Sequence, residues 1–89
     1  MKAIITVLGK DKVGIIAKVC TYLSNNGINI LDISQTIVQG YFNMLMIVEM
    51  NQTDERFSEI VDGLEKLGNE IGVGIKMQHE DIFNSMHRI

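Results

Sequence analysis

Proline and tryptophan are absent from the 89 residues, and cysteine occurs once, at Cys20. Without proline, no helix or strand is broken by a residue that lacks an amide hydrogen. A single cysteine excludes an internal disulfide framework and suits a reducing compartment, so a cytoplasmic location is expected. Positive charge is scarce as well: eight Lys and Arg stand against eleven Asp and Glu, for a net charge of −3. A nucleic-acid or anionic-membrane surface needs a clustered basic face, so neither partner is expected. No apolar run approaches the roughly 20 residues that span a bilayer. No small-residue cleavage site follows the short apolar run in "MKAIITVLGKD", so no signal peptide is read. Nothing resembles a linker or a low-complexity segment, and residues 1–89 read as one domain with 79–89 as its tail.

What is present is a regular alternation of strand-like and helix-like runs. "KAIITVL" (2–8) is apolar on both parities, Ile5 and Val7 on one and Ile4 and Leu8 on the other, as in a strand buried on both faces. Helix signals follow. Asp11 is a favoured cap residue, and Ile15, Ile16, Val19, Cys20 and Leu23 recur at helical spacing. "NNG" (25–27) ends that helix, with Gly27 as its left-handed terminator. "INILDISQTIVQ" (28–39) is β-branched, but its apolar parity switches midway, so a bulge or strong twist near Asp32 is expected. Gly40 marks a tight hairpin. "YFNMLMIVEM" (41–50) puts Phe42, Met44, Met46, Val48 and Met50 on one face and Leu45 and Ile47 on the other. A second helix is expected from a Thr53 or Asp54 cap, through Phe57, Ile60, Val61, Leu64 and Leu67, to Gly68 or Gly72. "VGIKMQH" (73–79) alternates cleanly, the pattern of an edge strand.

The order β-α-β-β-α-β is that of the ferredoxin-like α+β sandwich, a four-stranded antiparallel sheet with two helices on one face. Its first and third strands are central, and these are the two that carry apolar residues on both parities. Leu45 and Ile47 then lie on the open face, where the tail "EDIFNSMHRI" (80–89), read as a short helix, or a second subunit would cover them. A chain this small buries a modest share of its surface, and association is a common remedy.

The junction "GKDKVGIIAKV" (9–19) offers free amides and the positive end of a helix dipole. Gly9 gives the turn freedom, and Gly14 removes a side chain that would block close approach. A carboxylate could dock on the main chain there while Asp11 holds an ammonium group, a combination suited to an α-amino acid. The plainer reading is that Asp11 caps the helix and the glycines shape the turn.

From "GKDKVGIIAKV" through "GINI" (27–30) to the third strand, the chain resembles an ACT domain. Asp11, Gly14 and "GINI" stand where that family's motif has them. "ILDISQT", "GYFNM" and "QHEDIFNSMHRI" make it most similar to small stand-alone ACT proteins of an uncharacterised bacterial and archaeal family related to the glycine-cleavage repressor regulator. The resemblance implies a regulatory, non-catalytic module. It implies side-by-side homodimers joined through the second strands, or a dimer of dimers, acting on a regulated protein. It implies an amino-acid-like ligand held between the loop of one subunit and the second strand of the other, with Asp11, Val13, Gly14, Asn29 and Ile30 as its residues. Val13 replaces a proline common in the family, and Gly9 replaces a side-chain donor of serine-binding members, so ligand identity does not carry over.

Other chemistries fit less well. Cys20 lies on an apolar helix face with no Cys-x-x-Cys, and reads as a core thiol. His79, Glu80, Asp81 and His87 match no metal spacing, and neither metal nor cofactor is expected. Acylphosphatases need an arginine in the first loop, which here carries Lys10 and Lys12. RNA-recognition modules need exposed aromatics on the first strand, which has none. Gln35 and Asn43 could pair across the hairpin. The remaining alternatives are an adaptor that uses the dimer as a scaffold without a metabolite and, more weakly, a small enzyme.

Overall fold

A computed structural model of the chain describes residues 1–10, 13–51 and 55–80. The tail helix expected beyond residue 80, the Thr53 and Asp54 caps, and Asp11 lie outside the described residues. Six elements follow in the expected order: β1 (Lys2–Lys10), α1 (Ile15–Asn25), β2 (Asn29–Val38), β3 (Tyr41–Glu49), α2 (Phe57–Ile71) and β4 (Val73–His79). They form one antiparallel sheet in the order β2-β3-β1-β4, the ferredoxin-like arrangement, with β1 and β3 central. The terminal amine of Met1 donates to the Met50 carbonyl at 2.9 Å, and the Met50 amide donates back to the Met1 carbonyl at 2.8 Å, so the β1–β3 pairing is prolonged past both strands.

Strand parity divides the residues between two faces. Ala3, Ile5 and Val7 of β1 lie opposite Val48, Met46 and Met44 of β3, and opposite His79, Met77 and Ile75 of β4. All but His79 are buried, and with Val19 and Leu23 of α1 and Ile60 and Leu64 of α2 they make the core. Each of these side chains larger than Ala3 contributes about 1.5–3 kcal/mol by leaving water. Leu45 and Ile47 point to the open face as expected and are half-buried, beside Thr6 and Ile4 of β1.

Two glycines are fixed by packing. A Cβ on Gly68 would sit 2.6 Å from the Val73 carbonyl oxygen, so α2 can lie against β4 only because that position has no side chain. The helix itself ends at Gly72, which is left-handed (φ 78°) and donates its amide to the Gly68 carbonyl. Gly9 corrects an expectation: it lies within β1, between Phe42 and Val73, and a Cβ there would come within 2.7 Å of Val73 Cγ1. Close strand contact, and not turn freedom, requires it. The start of α2 is also later than expected. Arg56 occupies the cap position, and Phe57 is the first residue to turn inward, its ring centroid 6.3 Å from that of His79.

The edges of the sheet differ. β2 pairs with β3 through a two-residue turn, Gln39 and Gly40, both at positive φ (52° and 79°), as a type I′ hairpin requires. Its register slips between Ile30 and Asp32, leaving Leu31 as the extra residue, so the expected bulge is present. The turn sets Gln35 opposite Met44 and Thr36 opposite Asn43. Gln35 and Asn43 therefore face opposite sides and do not pair, contrary to expectation. No described helix is long and apolar enough to cross a membrane.

Replacing Gly68 by Ala is expected to cost about 1–3 kcal/mol in chemical denaturation, because backbone must shift to admit the methyl group. Replacing Gly63, whose Cβ would first meet the end of the Tyr22 side chain, should cost less, since that ring can move.

Candidate functional site

Two clefts flank α1 on the side of β2. The first lies at the helix start. Gly14 takes the cap position in the left-handed region (φ 89°, ψ 3°), and the Lys18 amide donates to its carbonyl at 3.0 Å. This corrects the expectation that Asp11 takes the cap position: the helix begins at Ile15, Gly14 is its cap, and among the described residues no side chain caps it. The first turn also carries no acidic residue. Its amides have no partner within the helix, and they sit at the positive end of the dipole. A cleft of about 430 Å³ opens there, lined by Gly14, Ile15, Ile16 and Ala17 from α1 with Gln35 and Ile37 of β2 and Phe42 of β3.

The second cleft lies at the other end of the helix. Gly27 (φ 71°) terminates α1 as expected. The Gly27 amide donates to Ser24 and the Ile28 amide to Leu23, each at 3.0 Å, the double bond pattern of a Schellman ending. Leu23 and Ile28 are both buried beneath it. The helix end is tied to α2. Arg56 Nη2 donates to the Asn26 carbonyl and Asn26 Nδ2 to the Tyr22 carbonyl, both at 2.8 Å. Burial pushes the Tyr22 hydroxyl pKa up, the Arg56 charge pulls it down, and Glu59 pushes it up again. Ser24, Gly27, Ile28, Asn29 and Ile30 line the cleft beside this ending, about 460 Å³ in volume.

Of the residues expected to bind a ligand, Gly14 thus lines the first cleft, and Asn29 and Ile30 line the second. α1 has 11 residues, so the two clefts are about 16 Å apart along it. One chain does not bring these residues together. Val13 is fully exposed and is not among the residues that line the first cleft. Gln35 and Ile37 line the first cleft. The sequence suggests for Gln35 only a pairing with Asn43 and for Ile37 no role at a site. The signal that finds them is the two-residue turn counted back from Gly40, which puts both on the helix side of the sheet. Cys20 is partly buried against the core, and burial pushes its thiol pKa up. Among the described residues, no three His, Cys, Asp or Glu side chains group as metal ligands would.

Comparison with known proteins follows the same lines. The profile of the ACT domain family matches residues 2–78. A UPF0237 protein of Bifidobacterium longum is 61% identical over 88 residues, covering 99% of this chain and 98% of that one. Among solved structures, an ACT domain protein from Streptococcus pneumoniae matches with a TM-score of 0.83 at 42% identity, over 93% of each chain. The ligand-free regulatory subunit of aspartate kinase from Thermus thermophilus matches with a TM-score of 0.68 at 28% identity, over 88% of this chain and 50% of that one. A chain assigned as a glycine cleavage system transcriptional repressor has a TM-score of 0.76 over 86% of this chain and 44% of its own, and at 23% identity it is alike in fold alone.

A Cβ at Gly14 would meet nothing within 4 Å, so substitution there tests backbone conformation without a clash. Gly14→Ala should lower stability by about 1–2 kcal/mol in urea titrations, the cost of the left-handed region. Gly14→Asn should lose less, because asparagine tolerates that region. Equal stability of all three proteins would contradict the left-handed cap.

Proposed function

The chain belongs to the ACT domain family and stands among its UPF0237 members, and from that premise we propose that it is a non-catalytic regulatory module. In this reading it works as a homodimer, binds an amino acid or a similar small molecule, and passes the binding on to a regulated partner protein. The one observation that carries the proposal is the position of the two half-sites at opposite ends of the exposed strand β2. Gly14 and its cleft adjoin the second half of β2, at Gln35 and Ile37, while Asn29 and Ile30 open the strand. Two β2 strands paired antiparallel about a two-fold axis bring the start of one beside the end of the other. Each site then takes its main-chain amides from one subunit and Asn29 and Ile30 from its partner, with Asp11 supplying the counter-charge for an ammonium group.

The two sheet edges support this choice of interface. β4 has seven residues and carries Lys76 on its solvent face, a charge of the kind that discourages edge pairing. β2 has ten residues and no lysine, every residue from Leu31 to Val38 is exposed, and Leu31, Ile33, Ile37 and Val38 lay apolar side chains along it. A long, exposed, apolar edge is the kind that pairs with another chain. The aspartate kinase neighbour is by name a regulatory subunit, which favours regulation over catalysis for this chain too.

Sedimentation at tens of micromolar is expected to give a dimer or a dimer of dimers, and Ile33→Lys should shift it towards monomer. A monomeric parent protein would sink the proposal. Thermal-shift screening against the amino acids should then find a stabilising ligand, worth about 2.7 kcal/mol at one hundred times its Kd. Asp11→Asn and Asn29→Ala should keep near-parental stability while each loses about 1.5–3 kcal/mol of binding, as for a charged hydrogen bond. Undiminished binding by both variants would contradict this site, and failure of every amino acid to stabilise the protein would leave the adaptor reading in front.

A further inference from the structure

The cleft at the start of α1 has two ends of different chemistry. One end is main chain: the first-turn amides, positive in character, suited to a carboxylate. The other is a wall of side chains, Ile15, Ile16, Ala17, Ile37 and Phe42, with Gln35 as its one polar member. None of the described lining residues carries a charge. The cleft between α2 and β4 is of similar size, but it has Glu65 and Lys76 on its walls. Resting on the amino-acid reading above, we infer that the side-chain wall selects an α-amino acid with an uncharged, apolar side chain of valine to methionine size, and that Ile37 sets the selection.

The argument is one of desolvation. An ionised ligand side chain entering this wall would leave water without meeting an opposite charge on the described lining residues, and Gln35 can offer hydrogen bonds but cannot neutralise it. An apolar side chain gains about fourfold in affinity for each methylene it buries. At about 430 Å³ the cleft is near the small end of ligand sites, room for one amino acid and too little for a nucleotide. Ile37 is the wall residue that can respond to the ligand. Ile15 and Phe42 are buried in the core, whereas Ile37 is 53% exposed on the edge strand, with its side chain turned to the helix side. A ligand side chain lying between α1 and β2 would cover it. Gln35, one step along the same face, interrupts a row otherwise made of Ile30, Ile33 and Ile37.

Calorimetry on the full chain with glycine, alanine, valine, leucine, methionine, aspartate and lysine tests this. Affinity is expected to rise from glycine to leucine, with leucine roughly tenfold or more above alanine, and with no measurable binding of aspartate or lysine. Ile37→Thr keeps the β-branched shape and a strand-compatible residue. It should weaken leucine about fivefold or more and alanine less than about twofold. Glycine, aspartate or lysine binding as tightly as leucine would overturn the inference and leave the amino-acid reading standing. Failure of all seven to bind would remove both. Equal weakening of leucine and alanine by Ile37→Thr would show that Ile37 serves the strand and not the selection.

Discussion

The pairing of β1 with β3 sets the plane on which every other element is placed. It runs unbroken from Lys2 opposite Glu49 to Lys10 opposite Tyr41, and Met1 and Met50 extend it at one end. Because parity alternates strictly along both strands, one face collects Ala3, Ile5, Val7, Met44, Met46 and Val48, all fully buried. The helices have only one place to put their own apolar faces. α2 settles on β4, brought close by Gly68, while α1 lies beside α2 and meets the sheet at β2. The hairpin at Gln39 and Gly40 then leaves β2 as an outer strand whose helix-side residues Ile33, Gln35 and Ile37 stay exposed.

That asymmetry links the fold to the proposed function. A small sandwich gains stability by burying surface, and among the described residues most of the exposed large apolar side chains stand on one edge, β2. The same edge borders both clefts of α1. Main-chain amides at one end of the helix and the first residues of β2 at the other are half-sites about 16 Å apart. Antiparallel pairing of two copies through β2 would both cover the apolar row and bring unlike half-sites together, so assembly and ligand binding would depend on one surface.

Much of this was legible in the residues. Two strands with apolar residues on both parities had to be central, and β1 and β3 are. The parity switch in "INILDISQT" announced the bulge at Leu31, and Gly27 and Gly40 announced left-handed turns. Helix starts were less legible, because the cap was assigned by residue type. Asp11 has the chemistry of a cap, but Gly14 alone can take the left-handed conformation from which α1 begins. Thr53 and Asp54 have that chemistry too, yet α2 starts where Phe57 first reaches the sheet. Gly9 was misread because its reason is a neighbour distant in sequence, Val73. The candidate site was half legible for the same reason. Gly14 and "GINI" stand out in the sequence, whereas Gln35 and Ile37 reach the cleft only through the exact length of a turn.

The central claim is that each ligand site is shared between two chains. The most direct test mixes two variants that each fail to bind on their own, one altered at Asp11 and one at Asn29, and counts sites by calorimetry with a ligand of the parent protein. If the sites are shared, half the dimers in an equal mixture pair one variant with the other, and each of these carries one intact site. About a quarter of the parental sites should therefore return. If mixing restores none, both residues act within a single chain and the account of a site shared across β2 is contradicted.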